Sequence, residues 1–136
     1  MELTNRIVVV TGGASGIGKA MAERFHREGA AKVVVADMNA EGAAAVANAI
    51  DGWSMGVDVS KEADIVKLID ETENRFGPID LFCSNAGIGI GEGLDAPDDV
   101  WQKIWEVNTL SHVYAARTLV PRMKARGGGY LLNTAS

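Results

Sequence analysis

A glycine-rich segment near the N-terminus has the composition of a phosphate-binding loop. It occupies residues 11–18 and follows a continuous apolar run at 7–10. Gly12 allows a tight turn off a strand, Gly16 leaves room for a pyrophosphate, and Gly18 lets the next helix pack closely. The N-terminal N–H groups of that helix would face the phosphates. The spacing is G-x-x-x-G-x-G rather than the common G-x-G-x-x-G, so the prediction of a dinucleotide loop depends on its position between a strand and a helix.

An acidic residue follows the second apolar run. Asp37 lies 19 residues after Gly18, where a carboxylate can accept hydrogen bonds from the ribose hydroxyls of adenosine. A negative charge there repels the 2′-phosphate of NADP, and Ser15 supplies no compensating cation. The sequence therefore predicts NAD as the cofactor in preference to NADP.

Polar or small residues also follow the other three apolar runs. Asp58-Val59 comes after the third run, Asn85-Ala86-Gly87 after the fourth, and Asn133-Thr-Ala-Ser136 after the fifth. Because the carboxyl ends of parallel strands meet at one edge of a sheet, we expect these residues to surround one ligand-binding crevice.

The apolar patterns that must position these residues alternate between strand and helix. The β-branched runs at 7–10 and 33–36 lack polar alternation, which is typical of strands buried on both faces. Asn39 and Ser60 are expected N-caps of the second and third helices, and a long helix is expected from Pro97. This order predicts an α/β fold, a doubly wound parallel sheet with strand order 3-2-1-4-5 and helices on both faces.

Length, charge and composition exclude several classes of protein. The 136 residues predict one domain over 1–136, and a net charge of −5 without a basic block disfavours nucleic-acid binding. The only cysteine, Cys83, permits no internal disulfide, and His26 and His112 have no companion ligand, so we predict no metal site. The sequence shows no signal-peptide layout and no apolar run of membrane-spanning length. We therefore expect a soluble, cytoplasmic protein without a membrane partner.

Together these motifs resemble the short-chain dehydrogenase/reductase family, in the family's order and over nearly the whole chain. The matching segments are Thr11-Gly-Gly-Ala-Ser-Gly-Ile-Gly18, Asp58-Val59, Asn85-Ala86-Gly87, Asn108 and Asn133-Thr-Ala-Ser136. Ser84 stands where the family usually has a second asparagine, which is a mild departure. The resemblance implies a Rossmann-like fold and hydride transfer between a nicotinamide cofactor and a secondary alcohol or ketone that is a small-molecule substrate.

The resemblance also implies a role for each matched residue. Asp58 and Val59 would contact the adenine, and the segment 85–87 (Asn85, Ala86 and Gly87) would lie beneath the nicotinamide ribose. Asn108 would hold a water in a proton relay, and Ser136 would hydrogen-bond the oxygen of the substrate. The residues that would wrap the pyrophosphate are Gly12, Ser15, Gly16, Ile17 and Gly18.

The family's general acid/base, a tyrosine in a Tyr-x-x-x-Lys motif, has no match in the sequence. Four residues after Tyr114 and Tyr130 stand Thr118 and Thr134. We therefore expect the sequence to be the N-terminal portion of a protein about twice this length, since the full fold joins two halves. That protein is expected to be a homo-oligomer, a dimer or tetramer, and the 136-residue chain alone to be inactive. The alternative is a non-catalytic dinucleotide-binding or sensor module.

Overall fold

The computed structural model describes residues 1–91 and 93–135, in which strands and helices alternate along the chain. A π-helical turn, Glu106–Leu110, joins the fourth helix to the fifth. The elements are β1 (Ile7–Thr11), α1 (Gly16–Arg27), β2 (Lys32–Asp37), α2 (Ala40–Ala49), β3 (Trp53–Gly56), α3 (Glu62–Phe76), β4 (Leu81–Ser84), α4 (Asp98–Trp105), α5 (Ser111–Ala125) and β5 (Tyr130–Asn133).

The strands form one parallel sheet in the order β3-β2-β1-β4-β5, which confirms the predicted fold class and strand order. Val9 of β1 pairs with Val34 of β2 on one side and with Phe82 of β4 on the other. Val9 and Val34 are fully buried. The continuous apolar runs in β1 and β2 therefore reflect burial on both faces of the sheet, as expected for central parallel strands.

Helices cover both faces of the sheet. On one face, Val8 and Val35 pack in a cluster with Ala22 of α1 and Val46 of α2. On the other, strand residues such as Val9 pack in a cluster with residues of α3 and α5. Each crossover returns the chain to the amino end of the sheet, so the carboxyl ends of all strands meet at one edge. Within the described residues, no helix is long and apolar enough to cross a membrane.

Of the three predicted helix starts, two are confirmed and one cap prediction is wrong. Asn39 caps α2, since its side-chain oxygen accepts a hydrogen bond from the N–H of Gly42 at 3.0 Å. The prediction that Ser60 caps the third helix was wrong: Lys61 takes the N-cap position without a side-chain bond, and the Ser60 hydroxyl donates to Asp58 instead. The long helix begins as expected near Pro97, but the π-helical turn interrupts it at 106–110.

Candidate functional site

Three positions in the loop after β1 favour glycine, each for a different steric reason. Gly12 has φ +65°, and a Cβ there would lie 2.8 Å from the Cα of Ala86. Gly16, the first residue of α1, has φ +53° and faces open space, so a side chain there would occupy the crevice rather than the protein. A Cβ on Gly18 would collide with the carbonyl oxygen of Gly12. The loop thus holds its shape through Gly12 and Gly18 and leaves the space beside Gly16 free.

Thr11 connects this loop to the end of β4. Its buried hydroxyl donates to the carbonyl of Cys83 at 3.2 Å and accepts from the N–H groups of Asn85 at 3.0 Å and Ala86 at 3.2 Å. The Asn85 amide in turn donates to the Thr11 carbonyl at 3.2 Å, and its oxygen accepts from Thr134 at 2.9 Å. The ends of β1, β4 and β5 are therefore locked together by side chains.

The Asp37 carboxylate closes the other side of the loop. One oxygen accepts from the N–H of Ala14 at 3.0 Å, and the other from the N–H of Asn39 at 2.9 Å. Each carboxylate oxygen keeps a second acceptor position, because an ionised carboxylate has about four lone-pair sites. Asp37 is thus held at the loop and can still accept hydrogen bonds from a ligand.

Asp58, at the end of β3, is fixed by groups from two elements. Its Oδ1 accepts from the Ser60 hydroxyl at 2.6 Å and the Ser60 N–H at 3.1 Å, while the Lys103 and Lys61 ammonium groups lie 3.9 and 3.7 Å from Oδ2. Burial alone would raise the pKa of Asp58, but the Ser60 hydrogen bonds and the two lysine charges outweigh it and hold that pKa below its ordinary value. The carboxylate is therefore ionised and oriented.

Asn108 lies in the π-helical turn and faces the loop after β4. Its side-chain oxygen accepts from the N–H of Ile88 at 2.8 Å, and its side-chain nitrogen donates to the carbonyl of Ile88 at 2.8 Å. A Cβ on Gly87 would lie 3.4 Å from the Asn108 oxygen. Short π-helical turns inside α-helices occur frequently at functional sites. The turn brings Asn108 to the segment that follows the fourth strand.

One cavity of about 460 Å³ brings together every residue predicted to bind the cofactor, within the size range of small-molecule sites. The predicted Ile17 and its neighbour in this wall, Met38, are each 66% exposed although both are large and apolar. Thr134, from the segment after the fifth strand that was expected to reach this crevice, also lines it. Lys103 lines it too and was not predicted, because no local motif marks it. The predicted residues that line it are Gly12, Ser15, Gly16, Ile17, Gly18, Asp37, Asp58, Val59, Asn85, Ala86 and Gly87.

A second cavity, of about 750 Å³, shares the wall formed by residues 85–88. Asn108 lines this second cavity together with His112 and Thr134. Burial lowers the pKa of His112 from its ordinary value, so the neutral imidazole is favoured there. Ser136, the second predicted catalytic residue, lies outside the described residues. The two cavities together offer space on both sides of the Asn85–Gly87 segment.

The residues present fit a dinucleotide. The open space beside Gly16 lies at the N-terminus of α1, where backbone N–H groups favour phosphate oxygens. Two carboxylates, Asp37 and Asp58, lie along the same cavity and can accept hydrogen bonds from hydroxyl or amino groups. Among the residues that the structure describes, no group of three or more His, Cys, Asp or Glu side chains is placed to hold a metal ion.

The comparisons with known proteins agree on one protein family. The model of the family described as short chain dehydrogenase matches residues 6–136. The chain is 37% identical to 3beta-hydroxysteroid dehydrogenase 2 of Eggerthella lenta, covering 98% of this chain and 54% of that protein. It is 36% identical to the NAD-dependent glycerol dehydrogenase of Listeria innocua, covering 99% of this chain and 54% of that protein.

A solved structure shows the same arrangement. A 7 alpha-hydroxysteroid dehydrogenase complexed with NADH and 7-oxo glycochenodeoxycholic acid superposes with a TM-score of 0.94 at 30% identity, covering 99% of this chain and 55% of that one. The chain thus spans about half the length of the relatives it matches. With the family model matched over residues 6–136, the chain belongs to the short-chain dehydrogenase family.

Proposed function

We propose that the protein is an NAD-dependent oxidoreductase that transfers a hydride between the nicotinamide ring and a secondary alcohol or ketone. The observation that carries the proposal is the meeting of all eleven predicted cofactor residues in one cavity at the carboxyl edge of the sheet. When bound, the nicotinamide supplies or accepts the hydride. The chain's own residues bind, orient and shield the reactants.

The residues of the loop after β1 would hold the pyrophosphate. Backbone N–H groups at the start of α1 point their partial positive charge toward the open space beside Gly16. Any side chain at Gly16 would take up part of that space. Thr11 ties this loop to the segment 85–87 and so fixes the distance between the pyrophosphate and nicotinamide ends of the crevice.

Asp37 supports NAD as the cofactor. Its two oxygens are held by the N–H groups of Ala14 and Asn39, and their remaining lone pairs would accept the ribose hydroxyls of the adenosine. A 2′-phosphate would bring two further negative charges to the same place. Ser15 and Met38, which line this part of the cavity, carry no positive charge to offset them.

The substrate would occupy the second cavity, beside Asn108. Asn108 fixes Ile88 and with it the loop between the two cavities. Ser136 would hydrogen-bond the substrate oxygen, as the family resemblance implies, and a proton would leave through a relay near Asn108. A dimer or tetramer of the full-length protein and a cytoplasmic location remain part of the proposal.

Turnover by the full-length protein tests this proposal. A panel of secondary alcohols is offered with NAD, and reduction is followed by the absorbance of NADH. Reduction with at least one alcohol is expected, and the 136-residue chain alone is expected to bind NAD without turning over. If the full-length protein binds NAD but reduces it with no alcohol, the non-catalytic sensor module would replace the enzyme.

A further inference from the structure

A lysine on the fourth helix reaches the adenine end of the cofactor cavity, and the proposed function gives it no role. The Nζ of Lys103 donates a 2.9 Å hydrogen bond to the hydroxyl of Ser60, 43 residues away along the chain. The same ammonium lies 3.9 Å from Oδ2 of Asp58, and Lys103 lines the cavity beside Asp58. Lys103 therefore joins α4 to the loop between β3 and α3.

The hydrogen bonds define the direction of the Ser60 hydroxyl. A serine hydroxyl has one proton to donate and two lone pairs. Because the Lys103 ammonium can only donate, it occupies a lone pair of Ser60, and the hydroxyl proton is left to point at Oδ1 of Asp58, 2.6 Å away. Such consecutive hydrogen bonds polarise and strengthen one another. Without Lys103, the hydroxyl could still donate to Asp58, but it would lose the charged partner that fixes its lone pair and strengthens its bond to the carboxylate.

The closer contact of Lys103 is to the neutral Ser60 rather than to the carboxylate. The hydrogen bond to Ser60 is 2.9 Å long, whereas the distance to the carboxylate is 3.9 Å, beyond hydrogen-bond length. Lys61 is also near the carboxylate, at 3.7 Å, but its side chain is 68% exposed and makes no bond to Ser60 among the described residues. Orientation of the carboxylate through Ser60 therefore distinguishes Lys103 from an ordinary surface ion pair.

We infer that Lys103 is a positioning residue of the adenine subsite, which acts through Ser60 to hold the Asp58 carboxylate where it accepts a hydrogen bond from the 6-amino group of the purine. This inference rests on the proposed function, in which Asp58 lies against the adenine. It deepens that function by assigning the selection of a 6-amino over a 6-oxo purine dinucleotide to the Lys103–Ser60–Asp58 set.

This selection has a chemical reason: at position 6, adenine and hypoxanthine present hydrogen-bonding groups of opposite polarity. Adenine presents an amino donor there, and hypoxanthine presents a carbonyl acceptor, which an oriented carboxylate repels. A carboxylate that is free to turn could instead accept from the N1–H of hypoxanthine and so tolerate the analogue. Loss of the orientation of the Asp58 carboxylate is therefore expected to reduce the discrimination between NAD and its hypoxanthine analogue more than it reduces the affinity for NAD itself.

The test compares the dissociation constants of NAD and nicotinamide hypoxanthine dinucleotide, measured by calorimetry on the full-length protein. We expect the wild type to bind NAD at least about tenfold more tightly, the difference that one well-formed hydrogen bond to a charged group supplies. Lys103→Met is expected to remove most of this ratio, and Lys103→Arg to retain part of it, because a guanidinium can still donate to Ser60. The matched control is Lys67→Met, at an exposed lysine on α3, with an unchanged ratio.

Ser60→Ala provides a second, independent variant, since it removes the hydroxyl without touching the lysine. It should lower the ratio in the same direction as Lys103→Met, with thermal unfolding used to verify that both variants fold. An unchanged ratio in both variants, or a wild type that binds the two dinucleotides equally, would overturn the role of Lys103 and leave the proposed function standing. A wild type that binds neither dinucleotide would contradict the proposed function itself.

Discussion

The side chain of Asn108 forms two hydrogen bonds with the backbone of a single residue, Ile88, each 2.8 Å long. The side-chain amide thus pairs with the backbone of Ile88 as a neighbouring β-strand would, through one donor and one acceptor. The two residues are separated by 20 positions in sequence and belong to the π-helical turn and the loop after β4. This pairing connects the helix to the wall shared by the two cavities.

Replacing Asn108 by alanine should release that wall. Two hydrogen bonds are lost, and at about 0.5–1.5 kcal/mol each the free energy of unfolding should fall by about 1–3 kcal/mol. The amide proton of Ile88 should exchange faster with solvent, because its acceptor is gone. Hydrogen exchange followed by NMR measures this directly. Asn74→Ala, at an exposed position on α3, is the control and should leave Ile88 protected; equal protection in Asn108→Ala would contradict the pairing.

Alanine substitutions at Gly16 and Gly18 should have different effects, the first on NAD binding and the second on folding. At Gly16 an alanine methyl would meet no protein atom within 4 Å, so Gly16→Ala should fold, with a modest cost for its φ of +53°. The methyl would nevertheless enter the space proposed for the pyrophosphate and weaken NAD binding.

At Gly18 the methyl would strike the Gly12 carbonyl, so Gly18→Ala should lower the thermal unfolding temperature strongly. Thermal unfolding and NAD titration of both variants provide the comparison. A Gly16→Ala protein that binds NAD as well as the wild type would exclude the space beside Gly16 from the pyrophosphate site.

Glu73 on α3 should make stability depend on pH. Its carboxylate accepts from Arg126 at 2.7 Å, Arg122 at 2.9 Å and the N–H of Ile79 at 3.1 Å. Burial would raise the pKa of Glu73, but these hydrogen bonds outweigh it and lower that pKa below its ordinary value. A lowered pKa in the folded state stabilises the protein above the ordinary pKa of glutamate, and this stabilisation is lost as the pH falls through the lowered value.

Glu73→Gln should therefore reduce the free energy of unfolding by about 1–3 kcal/mol at neutral pH, and the deficit should shrink in acid. Urea denaturation across the acidic range measures the difference. Glu71→Gln is the control and should change little, because among the described residues Glu71 forms an ion pair with Arg75 alone, one turn away at an exposed position. A deficit that stays constant down to strongly acidic pH would rule out the ionised carboxylate as its source.

The strand-end residues could be predicted because the apolar runs that precede them can be recognised in the local sequence. The runs at 7–10 and 33–36 are apolar without alternation, which is typical of central parallel strands, and the topology then brings Asp37, Asp58 and Asn85 to one edge.

Lys103 and the π-helical turn could not be predicted in the same way. The apolar stripe of the long helix indicates which side faces the sheet, but not which distant loop a polar side chain reaches. The bond from Lys103 to Ser60 depends on where α4 lies relative to the loop between β3 and α3, and Asn108 in the turn at 106–110 pairs with Ile88, 20 residues away. Both are tertiary contacts. The prediction of Ser60 as a helix cap was wrong because its hydroxyl donates to Asp58.

In the proposed function, the preference for NAD over NADP depends on the charge of Asp37. Asp37→Asn changes that charge while keeping an acceptor oxygen for the loop. The direct measurement is the ratio of the dissociation constants of NADP and NAD in the wild type and in Asp37→Asn, made on the full-length protein. Glu41→Gln, which removes a nearby exposed charge outside the cavity, is the control. We expect the wild type to prefer NAD, Glu41→Gln to keep that preference, and Asp37→Asn to lose about tenfold or more of it, equivalent to about 1–3 kcal/mol. A ratio that is the same in the wild type and in Asp37→Asn would show that this carboxylate does not face the ribose.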